Sequence, residues 1–242
     1  MQLSDRAVRY VLKPLVFVAA LGPLTWLVWA FQTDHLSVNP LSDITNETGL
    51  WTLRFLCITL AITPLRRLTG WHALIKFRRM TGLFAFFYGT LHFLTYMVFD
   101  RFAGLAEFPE GIASMETARR LASSIASDIA GERPFITIGF TAWTLMLPLA
   151  LTSTAWAIRR LGKKWQTLHR LVYVSACLGV VHYWWLIKGD VTRPQFYAVL
   201  VGSLLLFRLL WTRYHEGTKV AKITKGSLYN LFFVCFVVFV SS

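Results

Sequence analysis

Three histidines stand where an ionisable side chain is costly. His92, His169 and His182 fall inside long apolar runs, whereas His35, His72 and His215 fall in polar stretches. At membrane depth such a group usually faces a cofactor, a transport pathway or a partner helix. Imidazole is also the commonest metal ligand among side chains. His92 and His182 each follow a glycine by three residues, in Gly89-x-x-His92 and Gly179-x-x-His182. On a helix, i−3 and i share a face, so both glycines leave room for a flat macrocycle beside the imidazole. Glycine in an apolar helix can equally mark close helix packing. A haem iron held between His92 and His182 is the chemistry this pattern points to. The plainer alternative is a histidine that bonds a neighbouring helix.

Other chemistries lack their residues. Cys57, Cys177 and Cys235 lie in apolar runs and form no CxxC, which removes a thiolate metal site and covalent haem attachment. No two glycines make a GxG, so phosphate cradles of the Rossmann and P-loop kinds are absent. Nicotinamide chemistry therefore belongs to another polypeptide.

The elements that must position the histidines are membrane helices. Of 242 residues, 55% are hydrophobic and 15% charged, and the mean hydropathy is +0.52. One soluble core of this length cannot hide so much apolar surface, and disorder, coiled coil, collagen and disulfide scaffolds are excluded as well. A bilayer core needs about 20 mostly apolar residues per helix. Six stretches qualify, at approximately 11–31, 50–66, 80–99, 134–158, 167–187 and 195–212. The expected fold is an all-α six-transmembrane-helix bundle over 1–213. The first stretch is too long and aromatic for a signal peptide and reads as a retained span.

Loop charges orient this bundle. Arg6, Arg9 and Lys13 precede the first span; Arg66, Arg67, Lys76, Arg78 and Arg79 follow the second; Arg159, Arg160, Lys163 and Lys164 follow the fourth. The linkers 32–49 and 100–133 carry the acids instead. The positive-inside rule then places both termini in the cytoplasm, and it accounts for the net charge of +13 without nucleic acid. Within 100–133, Ile112, Met115, Ala118, Leu121, Ala122, Ile125 and Ile129 follow helical spacing. They predict an amphipathic helix on the outer membrane face or a docking surface for a partner there. The tail 214–242 is basic, then apolar; its run 228–240 is short for a span.

With this orientation the third and fifth spans both run outward. His92 lies seven residues before Phe99 and His182 five before Ile187. At about 1.5 Å per residue both stand roughly 8–11 Å inside the outer boundary. Two level imidazoles suit one six-coordinate haem. His169 is about 20 Å deeper. A second bis-histidine haem needs a histidine thirteen or fourteen residues before His92, and Arg79 and Arg78 stand there. A haem with another axial ligand, a quinone or a flavin remains open at that depth. Arg54, one turn inside the second span, can pair a haem propionate or snorkel to the interface. Arg78, Arg79, Lys163 and Lys164 can bind an FMN phosphate or simply form basic cytoplasmic loops.

RRMTGLFAFFYGTLHFLTY (78–96), TSTAWAIRRLGKKWQTLHRLVY (152–173) and VVHYWWLIK (180–188) resemble the MsrQ (YedZ) family. These are haem-binding membrane subunits of the bacterial periplasmic methionine-sulfoxide reductase system, in the ferric-reductase-like transmembrane superfamily. ITPLRR (62–67) and RPFITIG (133–139) fit too, and the resemblance covers about residues 5–213. It implies haem b on His92 and His182, with His169 as a third functional histidine, in a protein of the bacterial inner membrane. It implies electrons entering from a cytoplasmic flavin or quinol and leaving to a periplasmic molybdenum-containing reductase that repairs oxidised methionines. Substrate reduction then occurs on that partner, and this chain is its electron-transfer subunit. Two alternatives stand beside this reading: a quinone- or flavin-linked transmembrane ferric reductase, and a small transporter using the same histidines. Against transport, no Asp or Glu lies inside the six stretches.

Overall fold

The computed structural model describes residues 4–97, 119, 122–123, 126–127, 133–187 and 189–216, with side chains as far as Trp211. Apart from five helical residues between Arg119 and Ser127, the expected amphipathic helix in 100–133 lies outside the described residues, as does the tail beyond Glu216. Every regular element among the described residues is helical. In chain order they are α1 (Asp5–Gln32), α2 (Pro40–Thr69), α3 (Arg78–Thr95), α4 (Pro134–Leu151), α5 (Ala155–Leu161), α6 (Lys163–Leu168), α7 (Leu171–Leu186) and α8 (Thr192–Glu216). A π-helical turn at Val8–Leu12 interrupts α1, and a 3₁₀ turn at His72–Lys76 joins α2 to α3.

Four segments are long and apolar enough to cross a bilayer: Asp5–Gln32, Pro40–Thr69, Pro134–Leu151 and Thr192–Trp211. The chain is a membrane protein. The other two expected spans form helices of 18 residues in α3, as long as α4, and 16 in α7, or roughly 27 and 24 Å at 1.5 Å per residue.

Several boundaries differ from the hydropathy reading for local reasons. α2 starts ten residues before the apolar stretch, because Asn39 caps it by accepting from the Ser42 N–H at 3.2 Å and Pro40 follows at the first position. The fourth stretch, expected to run to 158, ends at Leu151. There Thr152 and Ser153 turn their hydroxyls back onto the carbonyls of Pro148 and Leu149, and Thr154 caps a new helix through the Ala157 N–H. Gly162, at φ +51°, makes the turn into α6. α7 then begins at Leu171, so His169 lies in the turn before it. At the other end of α7, Asp190 accepts from the hydroxyl and backbone N–H of Thr192. Those bonds hold its carboxyl below the usual carboxylate range and mark the start of α8.

The bundle is a ring of four helices with two flanking ones. α2 packs along α3, α3 along α4, α4 along α7, and α7 returns to α2. That order sets α3 and α7 at opposite corners. Without a hydrophobic driving force in lipid, such helices associate through close packing and interhelical polar contacts. Buried Thr59 donates to Thr81 at 2.9 Å across α2–α3, and fully buried Ser175 donates to the Ala142 carbonyl at 2.8 Å across α7–α4.

The flanking helices are attached where their neighbours or they themselves lack backbone partners. Pro23 interrupts α1, and the fully buried Tyr88 hydroxyl inserts there: it donates to the Ala20 carbonyl at 2.8 Å and accepts from the Leu24 N–H at 3.2 Å. Pro64 has no N–H to give the Leu60 carbonyl one turn earlier. Arg208 of α8 supplies the donor, with Nη2 at 2.8 Å, while Nη1 donates to the Tyr173 hydroxyl on α7. One guanidinium thus ties α8 to α2 and α7.

Candidate functional site

His92 on α3 and His182 on α7 face each other across the ring. Their ring centroids are 6.1 Å apart and their planes cross at 78°. Each ring also leans on the neighbouring helix. His92 Nδ1 is 2.8 Å from the Thr45 carbonyl of α2, and His182 Nδ1 is 2.7 Å from the Phe135 carbonyl of α4. A carbonyl can only accept, so Nδ1 carries the proton in both rings and Nε2 keeps its lone pair. Two half-buried imidazoles therefore present matching basic nitrogens. Among the described residues no cluster of three or more His, Cys, Asp or Glu side chains forms a metal site of another kind.

The two glycines expected to leave room for a macrocycle, Gly89 and Gly179, have different surroundings. A Cβ on Gly89 would meet Met146 Cε at 3.1 Å, Thr52 Cγ2 at 3.3 Å and Trp143 Cδ1 at 3.6 Å. This buried glycine lets α2, α3 and α4 approach closely, the packing role open to it from sequence. Gly179 meets only Leu53 Cδ1, at an ordinary 3.8 Å. The glycines against the imidazoles are Gly49 on α2 and Gly139 on α4, where a Cβ would come within 3.0 Å and 2.7 Å of Nδ1 of His92 and His182. The i−3 rule could not find them because they lie on other helices. Their sequence signal is a shared offset: Thr45 and Phe135, Gly49 and Gly139, and His92 and His182 are each 90 residues apart.

His169 is set apart from that pair. Its ring stacks on Trp165 with centroids 3.9 Å apart, and its Nε2 lies 3.2 Å from the Thr152 hydroxyl. Trp165 donates its indole N–H to the Thr152 carbonyl at 3.0 Å, which anchors the stack to the end of α4. Arg78 acts electrostatically on His169 and on Arg208. Of the four basic residues expected near it, the half-buried Arg78 is thus brought to His169, while Arg79, Lys163 and Lys164 are exposed. Arg54 lies 4.6 Å over the Trp51 ring and acts electrostatically on Tyr197 of α8. Arg208 was legible in principle as a cation inside an apolar stretch, with Pro64 four residues after Leu60 as its counterpart.

The comparisons with known proteins agree with this architecture. Residues 48–180, more than half of the chain, match the family described as ferric reductase like transmembrane component. The heme-binding subunit MsrQ of protein-methionine-sulfoxide reductase from Herminiimonas arsenicoxydans is 48% identical over 204 residues, covering 83% of this chain and 85% of that one. MsrQ from Bordetella pertussis is 47% identical over 214 residues, covering 87% and 95%. MsrQ from Ralstonia nicotianae is 48% identical over 228 residues, covering 93% and 94%. No solved structure matches the chain significantly. With a ferric-reductase-like core and identities near one half along most of its length, the chain belongs to the MsrQ family of heme-binding subunits of protein-methionine-sulfoxide reductase.

Proposed function

We propose that the chain holds one haem b between His92 and His182 and carries electrons outward across the inner membrane for methionine-sulfoxide reduction. The observation that carries this reading is the pair of imidazoles 6.1 Å apart, each with Nδ1 tied to a backbone carbonyl. A metal bound by two imidazole nitrogens at about 2.0 Å each holds the ring centres roughly 6 Å apart. Histidine ligands ordinarily donate their other N–H to just such an acceptor, which fixes tautomer and orientation. The donor set fits a six-coordinate haem. When bound, the haem supplies one-electron transfer at a potential set by its ligands and their surroundings.

The chain's own residues do the rest. His92 and His182 ligate from opposite corners, with the carbonyls of Thr45 and Phe135 orienting them. Arg54, stacked on Trp51, supplies a cation for a propionate. Six spans with both termini in the cytoplasm follow from the basic loops, and they set the His92–His182 pair towards the periplasm. His169, Arg78, Arg79, Lys163 and Lys164 then lie on the cytoplasmic side, where a flavin (FMN) or quinol delivers electrons. The receiving partner is a periplasmic molybdenum-containing methionine-sulfoxide reductase.

Reoxidation tests the exit route. Dithionite-reduced protein, freed of excess reductant, should reoxidise faster when the reductase and methionine sulfoxide are added together than in buffer. No acceleration over buffer refutes the proposed exit.

The entry side carries its own prediction. His169→Ala should slow reduction by a cytoplasmic flavin or quinol donor severalfold while the low-spin absorption stays near its wild-type level. Stopped-flow reduction at matched haem content measures it. Loss of haem, with unchanged donor kinetics in the haem that remains, would make His169 part of the haem site instead.

A further inference from the structure

Each imidazole of the proposed haem pair is seated against a glycine one turn beyond the carbonyl that receives its Nδ1–H. Thr45 and Gly49 stand four residues apart on α2, as do Phe135 and Gly139 on α4, so each carbonyl and its glycine share one helix face. The same 47-residue separation joins His92 to Thr45 and His182 to Phe135. A Cβ at Gly49 would fall 3.0 Å from both Cε1 and Nδ1 of His92; at Gly139 it would fall 2.7 Å from Nδ1 and 2.8 Å from Cε1 of His182. Cγ follows at 3.6 Å in His92 and 3.2 Å in His182, so the Nδ1–Cε1 side of each ring lies over bare backbone.

We infer that Gly49 and Gly139 are positioning residues for the two haem ligands: they admit the imidazole ring so that Nδ1 reaches the carbonyl and the ring plane is held. This rests on the proposed ligation by His92 and His182. Any side chain at Gly139 forces the ring off its seat, because a Cβ never approaches ring atoms at 2.7 Å. The ring is the movable partner, so it tilts and its bond to Phe135 stretches. Losing such an orienting bond ordinarily lowers metal affinity about 10- to 100-fold. It also removes electron density from the ligand, which favours the ferrous state. The crossing of the two planes at 78° is set by the same two seats. Near-perpendicular imidazoles leave the iron dπ orbitals close in energy, so the ferric low-spin signal is strongly anisotropic.

The test uses the full chain, purified in detergent and titrated with haem after the endogenous haem is removed. Gly139→Ala should bind haem about 10- to 100-fold more weakly, shift the midpoint potential upward and lose the anisotropic low-spin signal. Gly49→Ala, whose Cβ needs only a few tenths of an ångström, should change the same three readouts in the same direction by less. Gly202→Ala, in open space on α8, should match the wild type in all three. If Gly139→Ala does not insert, the potential and signal of Gly49→Ala decide. Wild-type affinity, potential and signal in the inserted glycine variants, with a bis-histidine wild type, overturn the positioning role alone. A wild type without a bis-histidine spectrum overturns the ligation reading and this inference with it.

Discussion

Replacing His92 or His182 with alanine is expected to abolish the low-spin haem spectrum while the protein still inserts. In the proposed site each imidazole supplies one of two axial nitrogens, and no other histidine among the described residues contacts the pair. Without one ring a bound haem would keep only one of its two proposed imidazoles, so the near-complete loss of the low-spin bands is the expected size of the effect. The bundle should survive. Each substitution removes one side-chain bond, to Thr45 or Phe135, whose net contribution is about 1 kcal/mol. The Thr59–Thr81 and Ser175–Ala142 contacts across the ring remain. Oxidised and reduced absorption spectra with a pyridine haemochrome count measure the outcome. Intact bis-histidine spectra in both variants would falsify the assignment.

A second large effect concerns stability rather than cofactor. Arg208→Met should leave the Leu60 carbonyl without the donor that Pro64 cannot provide, and should also strip the Tyr173 hydroxyl of its partner. An unsatisfied buried polar group costs about 1–3 kcal/mol. For a chain of this size that corresponds to a fall in Tm on the order of 5 °C. Adding Pro64→Ala returns a backbone N–H to Leu60 and should recover part of the loss. Thermal unfolding of the two single variants and the double variant, in one detergent, measures the coupling. Strict additivity of the two substitutions would show that Arg208 does not act through the Leu60 carbonyl.

The histidine pair was legible because an ionisable residue in an apolar run is conspicuous and helical rise converts sequence distance into depth. Equal depth for His92 and His182 on two parallel helices follows from those two facts, and the structure brings the rings together. The inner region was less legible. Hydropathy carried the fourth stretch past Thr152 and the fifth back to Thr167, because the averages do not register hydroxyls that cap carbonyls or a glycine at φ +51°. His169 consequently stands in a turn, stacked on Trp165, rather than along the same helix as His182.

The sequence by itself determined the class: apolar runs and basic loops specify a membrane helix bundle, since transfer into lipid is a nearly additive property of local composition. It also set apart His92 and His182, whose rings the structure brings together. The seat of each imidazole was decided by tertiary structure alone. Gly89 and Gly179 share a face with the histidines on their own helices, yet the rings lean outward onto α2 and α4, where Gly49 and Gly139 lie. Which glycine meets a ring depends on helix rotation and crossing, and those are set by many small contacts summed over a whole interface. The same holds for Arg208 and Leu60, 148 residues apart: a proline announces an orphaned carbonyl, but only the packed bundle chooses the donor that reaches it.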